Sequence, residues 1–265
     1  MLVIGYFLAA LVGVSLGLIG GGGSILTLPI LVYVFKIDPV TATSYSLFIV
    51  GFTSLIGVII NKDFVKMKIA LLFGSSSIIT VLLTRSIIMP QVPKILFSIG
   101  KFDLTQAMAT MMLFAVIMLL SSISMIKNTA PEIKTNSTVK GKVDIVKIIG
   151  YGILIGLITG FLGAGGGFLL IPALVILLKM PMKNAISTSL LIIAFNSLIG
   201  FLGDIGHFSI KWNLLISIAL VAIAGILVGG FLAKKIEGYQ LKKAFGWFVF
   251  VMGIVIICTQ VFQLA

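Results

Sequence analysis

The chain is 265 residues long, 60% apolar and only 10% charged, with a mean hydropathy of +1.27. Soluble domains run at about 45–50% apolar and about 25% charged, so a water-soluble fold is excluded. The formal net charge of +12 comes from lysines set in short stretches between apolar runs, not along one helix face, which excludes a nucleic-acid surface and matches the charge pattern of membrane proteins.

In chain order the first half reads as five apolar segments, about 2–19, 24–36, 40–60, 69–89 and 105–126. Residues 1–17 lack the basic start of a signal peptide and have a counterpart deep inside the chain, so they are read as structure. The second segment, about 13 residues, spans roughly 20 Å as a helix, short of a bilayer core of about 30 Å. Its Pro29 lacks a backbone donor and frees the carbonyl of Ile25. The first two segments are therefore expected to form a bent or re-entrant pair joined by Gly20-Gly21-Gly22-Gly23-Ser24. Residues 127–144 are polar and lysine-rich and read as a solvated linker. The second half, 145–265, gives segments at about 145–162, 167–179, 184–203, 212–233 and 243–262, with Pro172 in the short second one. The single cysteine, Cys258, excludes an intrachain disulfide framework and a multi-thiolate metal site.

The second half repeats the first. Residues 13–57 align on 156–200 at a constant offset of 143 without a gap, with about 19 identities in 45 positions. Gly13, Gly17, Gly20, Gly22, Gly23, Leu26, Pro29 and Lys36 fall on Gly156, Gly160, Gly163, Gly165, Gly166, Leu169, Pro172 and Lys179. Ala42, Ser44, Ser46, Leu47, Ile49 and Ser54 to Gly57 fall on Ala185, Ser187, Ser189, Leu190, Ile192 and Ser197 to Gly200. Apolar composition alone does not keep glycines and prolines in register. The expected domains are thus a first membrane repeat (1–126), the linker (127–144) and a second repeat (145–265).

Lysine counting orients the chain. If each glycine-linked pair enters and leaves on one side, that half makes an odd number of crossings, and about 14 basic residues fall on the linker side against about 5 on the other. If each pair makes one crossing the tally is about 9 against 10, without bias. The positive-inside rule selects the first arrangement, with the linker cytoplasmic and both termini outside. An odd half followed by its copy is an inverted repeat, a common construction of secondary transporters.

Polar motifs are few. The glycine runs lack the lysine followed by Ser or Thr that closes a phosphate loop. They read as unwound backbone at membrane depth, whose N–H groups need protein, water or an anion as partner. Close helix packing is the other use of glycine, and the spacings Gly13/Gly17 and Gly156/Gly160 point to it. Thr41 to Ser46 and Asn184 to Ser189 open the third segment of each half, where hydroxyls either cap a helix or line a cavity. Asn196 and the matched Ser54/Ser197 lie deeper, as solute ligands or interhelical hydrogen bonds. The carboxylates, Asp204 among them, lie in or beside loops; Arg85 is expected to snorkel from near a segment end, with anion contact as the alternative; and His207 reads as an ordinary loop histidine, with a pH sensor as the alternative. Nothing resembles a zinc set, a Ser/His/Asp triad or paired catalytic carboxylates.

The duplicated glycine turn with Leu26-Thr27-Leu28-Pro29 or Leu169-Leu170-Ile171-Pro172, then Ala42 to Leu47 or Ala185 to Leu190, resembles the sulfite exporter TauE/SafE family over essentially the whole chain. The resemblance implies a multi-pass carrier of sulfite, sulfoacetate and related small organosulfur or carboxylate anions in the bacterial inner membrane. One departure is Ala164, which makes the two glycine turns unequal.

The sequence thus leads us to expect an all-α polytopic membrane protein, an inverted repeat with about five helical segments per half, working as a secondary transporter by alternating access. An anion channel and a membrane-embedded enzyme are the alternatives. The expected substrate site comprises Gly20, Gly21, Gly22, Gly23, Ser24, Ser44 and Ser46 from the first half, with Gly165, Gly166, Gly167, Ser187, Thr188, Ser189 and Asn196 from the second. No cofactor, metal or nucleic acid is expected. The partners are a small anion held without a fixed counter-charge and the lipid bilayer, while a proton or sodium coupling ion and a homo-oligomer are left open.

Overall fold

The computed structural model describes residues 2–20, 24–93, 95–99, 102–127, 145–162, 166–178, 180–206, 210–232 and 238–262. Each apolar segment becomes a helix: α1 (Leu2–Ile19), α2 (Ser24–Pro29), α3 (Pro39–Ile60), α4 (Met67–Leu83) with the short α5 (Met89–Gln91), α6 (Gln106–Lys127), α7 (Ile145–Leu162), α8 (Gly167–Pro172), α9 (Met182–Asp204), α10 (Trp212–Leu232) and α11 (Gly238–Phe262). Among the described residues six helices are long and apolar enough to cross a bilayer, within α3, α4–α5, α6, α7, α9 and α10. The protein is an all-α multi-pass membrane protein. One small addition escaped the hydropathy pattern: an antiparallel hairpin of β1 (Ile95–Ile99) and β2 (Phe102–Thr105), placed between α5 and α6.

The prolines act locally as expected. Pro29 and Pro172 end α2 and α8, and each is followed by a π turn, Ile30–Val34 and Ala173–Leu177. Without the proline N–H the i→i+4 ladder loses a rung, and the next bonds reach one residue further, as in Phe35 N–H to the Ile30 carbonyl at 3.2 Å. The first helix pair is a true hairpin. Tyr6, near the start of α1, stacks edge-on against Phe35, just past α2, with ring centroids 5.8 Å apart. The start of α1 and the chain just past the π turn that follows α2 therefore lie together.

Small residues set the helix packing. A Cβ added at Gly13 or Gly17 of α1 would collide with the backbone of Ala222, Gly225, Gly229 or Gly230 of α10. The same addition at Gly156 of α7 would meet Ser77 or Thr80 of α4, and at Gly160 it would meet Thr84, just past the end of α4. Lipid gives no hydrophobic drive between helices, so close backbone approach supplies the attraction. The spaced glycines are packing residues. Large apolar side chains such as Phe7, Leu71, Leu220 and Phe231 instead point outward, where a hydrocarbon solvent costs them nothing.

The contacts repeat across the halves. α1 packs on α10 and α7 on α4; α3 packs on α9 and α6 on α11; α3 also meets α10, and α9 meets α4. Exchanging the halves maps this set onto itself. The copies α3 and α9 cross antiparallel at the centre, with Gly51 against Leu198, Gly57 against Leu190 and Gly200 against Leu47.

Candidate functional site

The N-terminus of α3 decides what its hydroxyls can do. Asp38 caps it, accepting from the Val40 and Thr41 N–H groups at 3.1 and 3.3 Å, and Pro39 occupies the first turn, where a missing donor is harmless. The following hydroxyls are thereby released from capping. Thr43 donates back to the Val40 carbonyl at 2.7 Å and accepts from Arg85 Nη1 at 2.9 Å. Ser44 donates to Asp204 Oδ2, and Arg85 Nη1 also binds that oxygen, at 2.9 Å.

This ion pair is buried, with Arg85 at 1% exposure and Asp204 at 4%. Arg85 does not snorkel, and Asp204, the last residue of α9 and beside a loop as expected, is turned inward rather than toward water. Two local causes turn the arginine inward. Its backbone belongs to the π turn Thr84–Ile88, which rotates it relative to a continuous α-helix, and the last turn of α7 seats Gly160 directly on the neighbouring Thr84. The end of α9 then crosses it, with Gly203 so close that an added Cβ would lie 3.3 Å from the Arg85 Cβ. A buried, paired cation thus stands beside the start of α3, where the sequence led us to expect a snorkelling one. A buried charge costs several kcal/mol unless paired, and Asp204 supplies the pairing.

The second half uses the matched positions differently. Ser187, the mate of Ser44, bonds back to the Lys183 carbonyl at 3.0 Å, and Ser189 to the Ile186 carbonyl at 2.8 Å. Thr188 accepts from the Lys66 backbone N–H at 3.0 Å and so ties the two halves together. Deeper in, Asn196 donates to Ser77 Oγ at 2.5 Å. A row of buried polar atoms has no hydrogen-bond partner among the described residues: the hydroxyls of Thr27, Ser46, Ser54, Thr159 and Ser197, the Asn196 Oδ1, and the Nε and Nη2 of Arg85.

The glycine turns are only partly described. Gly21, Gly22, Gly23 and Gly165 lie outside the described residues, and of Ser24 only its place at the start of α2 is given. Gly20 is buried with φ +79°, and an added Cβ would meet Ile186 of the opposite half at 2.7 Å. Gly20 thus abuts the hydroxyl-bearing start of α9. Gly166, φ +68°, ends the second turn and packs on Thr159, while Gly167 opens α8. Both positive φ values suit glycine and few other residues.

Residues 6–256 match the family described as sulfite exporter TauE/SafE. The chain belongs to that family. It is similar to a probable membrane transporter protein of Xylella fastidiosa (strain Temecula1), 31% identical over 254 residues, covering 93% of this chain and 91% of that protein. It is also similar to the probable membrane transporter protein YdhB of Bacillus subtilis, 25% identical over 237 residues and covering 88% of this chain and 91% of that one. A shorter match, 32% over 104 residues, joins it to the probable membrane transporter protein MJ0441 of Methanocaldococcus jannaschii, covering 37% of this chain and 39% of that protein. No solved structure matches the chain. This TauE/SafE family member is a membrane transporter.

Within it, the pairing of Arg85 with Asp204 is what sequence reasoning missed, although anion contact by Arg85 is an open alternative to snorkelling there. A signal was present: Arg85 is the only arginine among the 19 basic residues. The repeat offered a second. At the 143-residue offset Asp204 corresponds to Asn61, which merely caps α3 by donating to the Gly57 carbonyl at 3.0 Å. The carboxylate is a departure from the repeat.

Proposed function

We propose that this transporter carries small oxyanions, sulfite or related organosulfur and carboxylate anions, by alternating access between the two halves. The observation that carries the reading is that the two crossing helices hold buried polar atoms without a hydrogen-bond partner among the described residues: the hydroxyls of Ser46 and Ser54 on α3, and the Ser197 hydroxyl and Asn196 Oδ1 on α9. Buried polar groups are normally satisfied, so such atoms on the two helices that cross at the centre are available to a polar guest. The guest is taken to be anionic because the hydroxyls of Ser46, Ser54 and Ser197 can donate, as the sequence expects of the backbone in the glycine runs before α2 and α8. Antiparallel packing of the copies α3 and α9 supports an inverted repeat, in which rocking of one half against the other exposes the crossing first to one side and then to the other. On this reading the linker 127–144 is cytoplasmic and both termini are outside.

The test is uptake into proteoliposomes of purified protein with a panel of labelled small anions. Saturable flux of sulfite, a sulfonate or a small carboxylate, competed by the others, is expected. Saturable flux of a cation or a neutral sugar, with every anion inert in the same vesicles, overturns it. Current that rises without saturation assigns a channel instead.

A further inference from the structure

The guanidinium of Arg85 has two sides, and among the described residues only one meets a partner. Nη1 faces Asp204 Oδ2 and Thr43 Oγ1, both at 2.9 Å. Nε and Nη2, which make up the other edge, are buried and have no hydrogen-bond partner among the described residues. That edge presents two parallel N–H donors, the arrangement that binds two oxygens of one oxyanion at once. A buried arginine leaving such an edge unmet forgoes charge-assisted bonds, each among the stronger available to a protein.

Resting on the anion-transport reading above, we propose that Arg85 is the anchor of the transported anion, its Nε/Nη2 edge gripping two oxygens of a carboxylate, sulfite or sulfonate. Asp204 has a distinct task on the opposite edge. Together with Thr43 it fixes the guanidinium plane, and with Ser44 as its own donor it keeps the empty site neutral. Its negative charge also weakens the grip on the anion, so that release is possible.

The anchor is single. Gly17 of α1 meets Gly229 of α10 as Gly160 of α7 meets Thr84, so the next residues along, Gly230 and Arg85, correspond between the halves. The mates of the ion pair are therefore Gly230 and Asn61, neither of which carries charge. Strong anion binding belongs only to the end of the bundle where α3 begins and α9 ends. A halide cannot use two parallel donors as an oxyanion does, so chloride is a poor competitor.

The test compares wild type, R85K, D204N and the charge-balanced R85Q/D204N in proteoliposomes, with stabilisation by sulfite, acetate and chloride in detergent read in parallel. R85K keeps the charge beside Asp204 but loses the fork, and its KM for oxyanions rises about tenfold or more, an effect of at least one charge-assisted bond. D204N binds oxyanions more tightly and turns over more slowly. R85Q/D204N stays monodisperse, is not stabilised by sulfite or acetate, and shows no saturable uptake. Wild-type KM in R85K together with wild-type anion stabilisation in the double variant makes the pair a structural latch and overturns the proposal, while anion transport itself stands. Wild-type protein that moves no anion and is stabilised by none removes both. If the double variant is not recovered folded, the KM of R85K decides alone.

Discussion

Tyr45 and Thr188 stand 143 residues apart and perform one task in two different chemistries. The Tyr45 hydroxyl accepts the Lys211 backbone N–H at 2.6 Å, as α10 begins, and the Thr188 hydroxyl accepts the Lys66 N–H at 3.0 Å, as α4 begins. Each ties the third segment of one half to the fourth segment of the other. An amide at a helix start has no intrahelical acceptor, so the tie also satisfies a group that lipid cannot.

Removing either tie should loosen the contact between halves without touching Arg85. Tyr45→Phe and Thr188→Val are each expected to cost about 1 kcal/mol, the net worth of one neutral hydrogen bond. The pair together should cost about the sum, since the ties lie at opposite ends of the α3–α9 crossing. Thermal unfolding followed by loss of monodisperse protein measures this. No change in either variant shows that water replaces the tie.

Glycine substitutions should divide into two kinds. Gly13→Leu or Gly17→Val drives a side chain into the α10 backbone, so no folded protein is expected in detergent extracts. Gly150→Ala, with nothing within 4 Å of the added Cβ, should be neutral. Gly22→Val and Gly165→Val, in the turns, are expected to leave monodisperse protein that no longer transports. Normal transport by both turn variants removes the glycine turns from the site.

Sidedness can be read with cysteine labelling. Cys258 is exposed and must first become serine. A new cysteine at Asn136 is expected to react only from the cytoplasm and one at Ala265 only from outside. Labelling of both from one side leaves the inverted orientation of the halves untenable.

By itself the sequence determined the membrane class, the helical segments and the internal repeat. These depend on local quantities: how many consecutive residues tolerate hydrocarbon, where a proline removes a donor, and where glycines recur in register. The same locality explains the reading of Pro29, whose π turn follows from one missing N–H, and of Gly13 and Gly17, whose spacing already sets a packing face. Only the tertiary structure decided the roles of individual polar residues. Ser44 and Ser187 occupy the same place in the repeat, yet one donates to Asp204 and the other to its own helix backbone. Hydropathy sets Arg85 within reach of water and Asp204 at a helix end, and nothing along the chain joins positions 119 residues apart. The π turn at Thr84, the seat of Gly160 on that residue and the crossing of α9 bring them together, because a charge enclosed by helices is stable only where a distant segment delivers its partner.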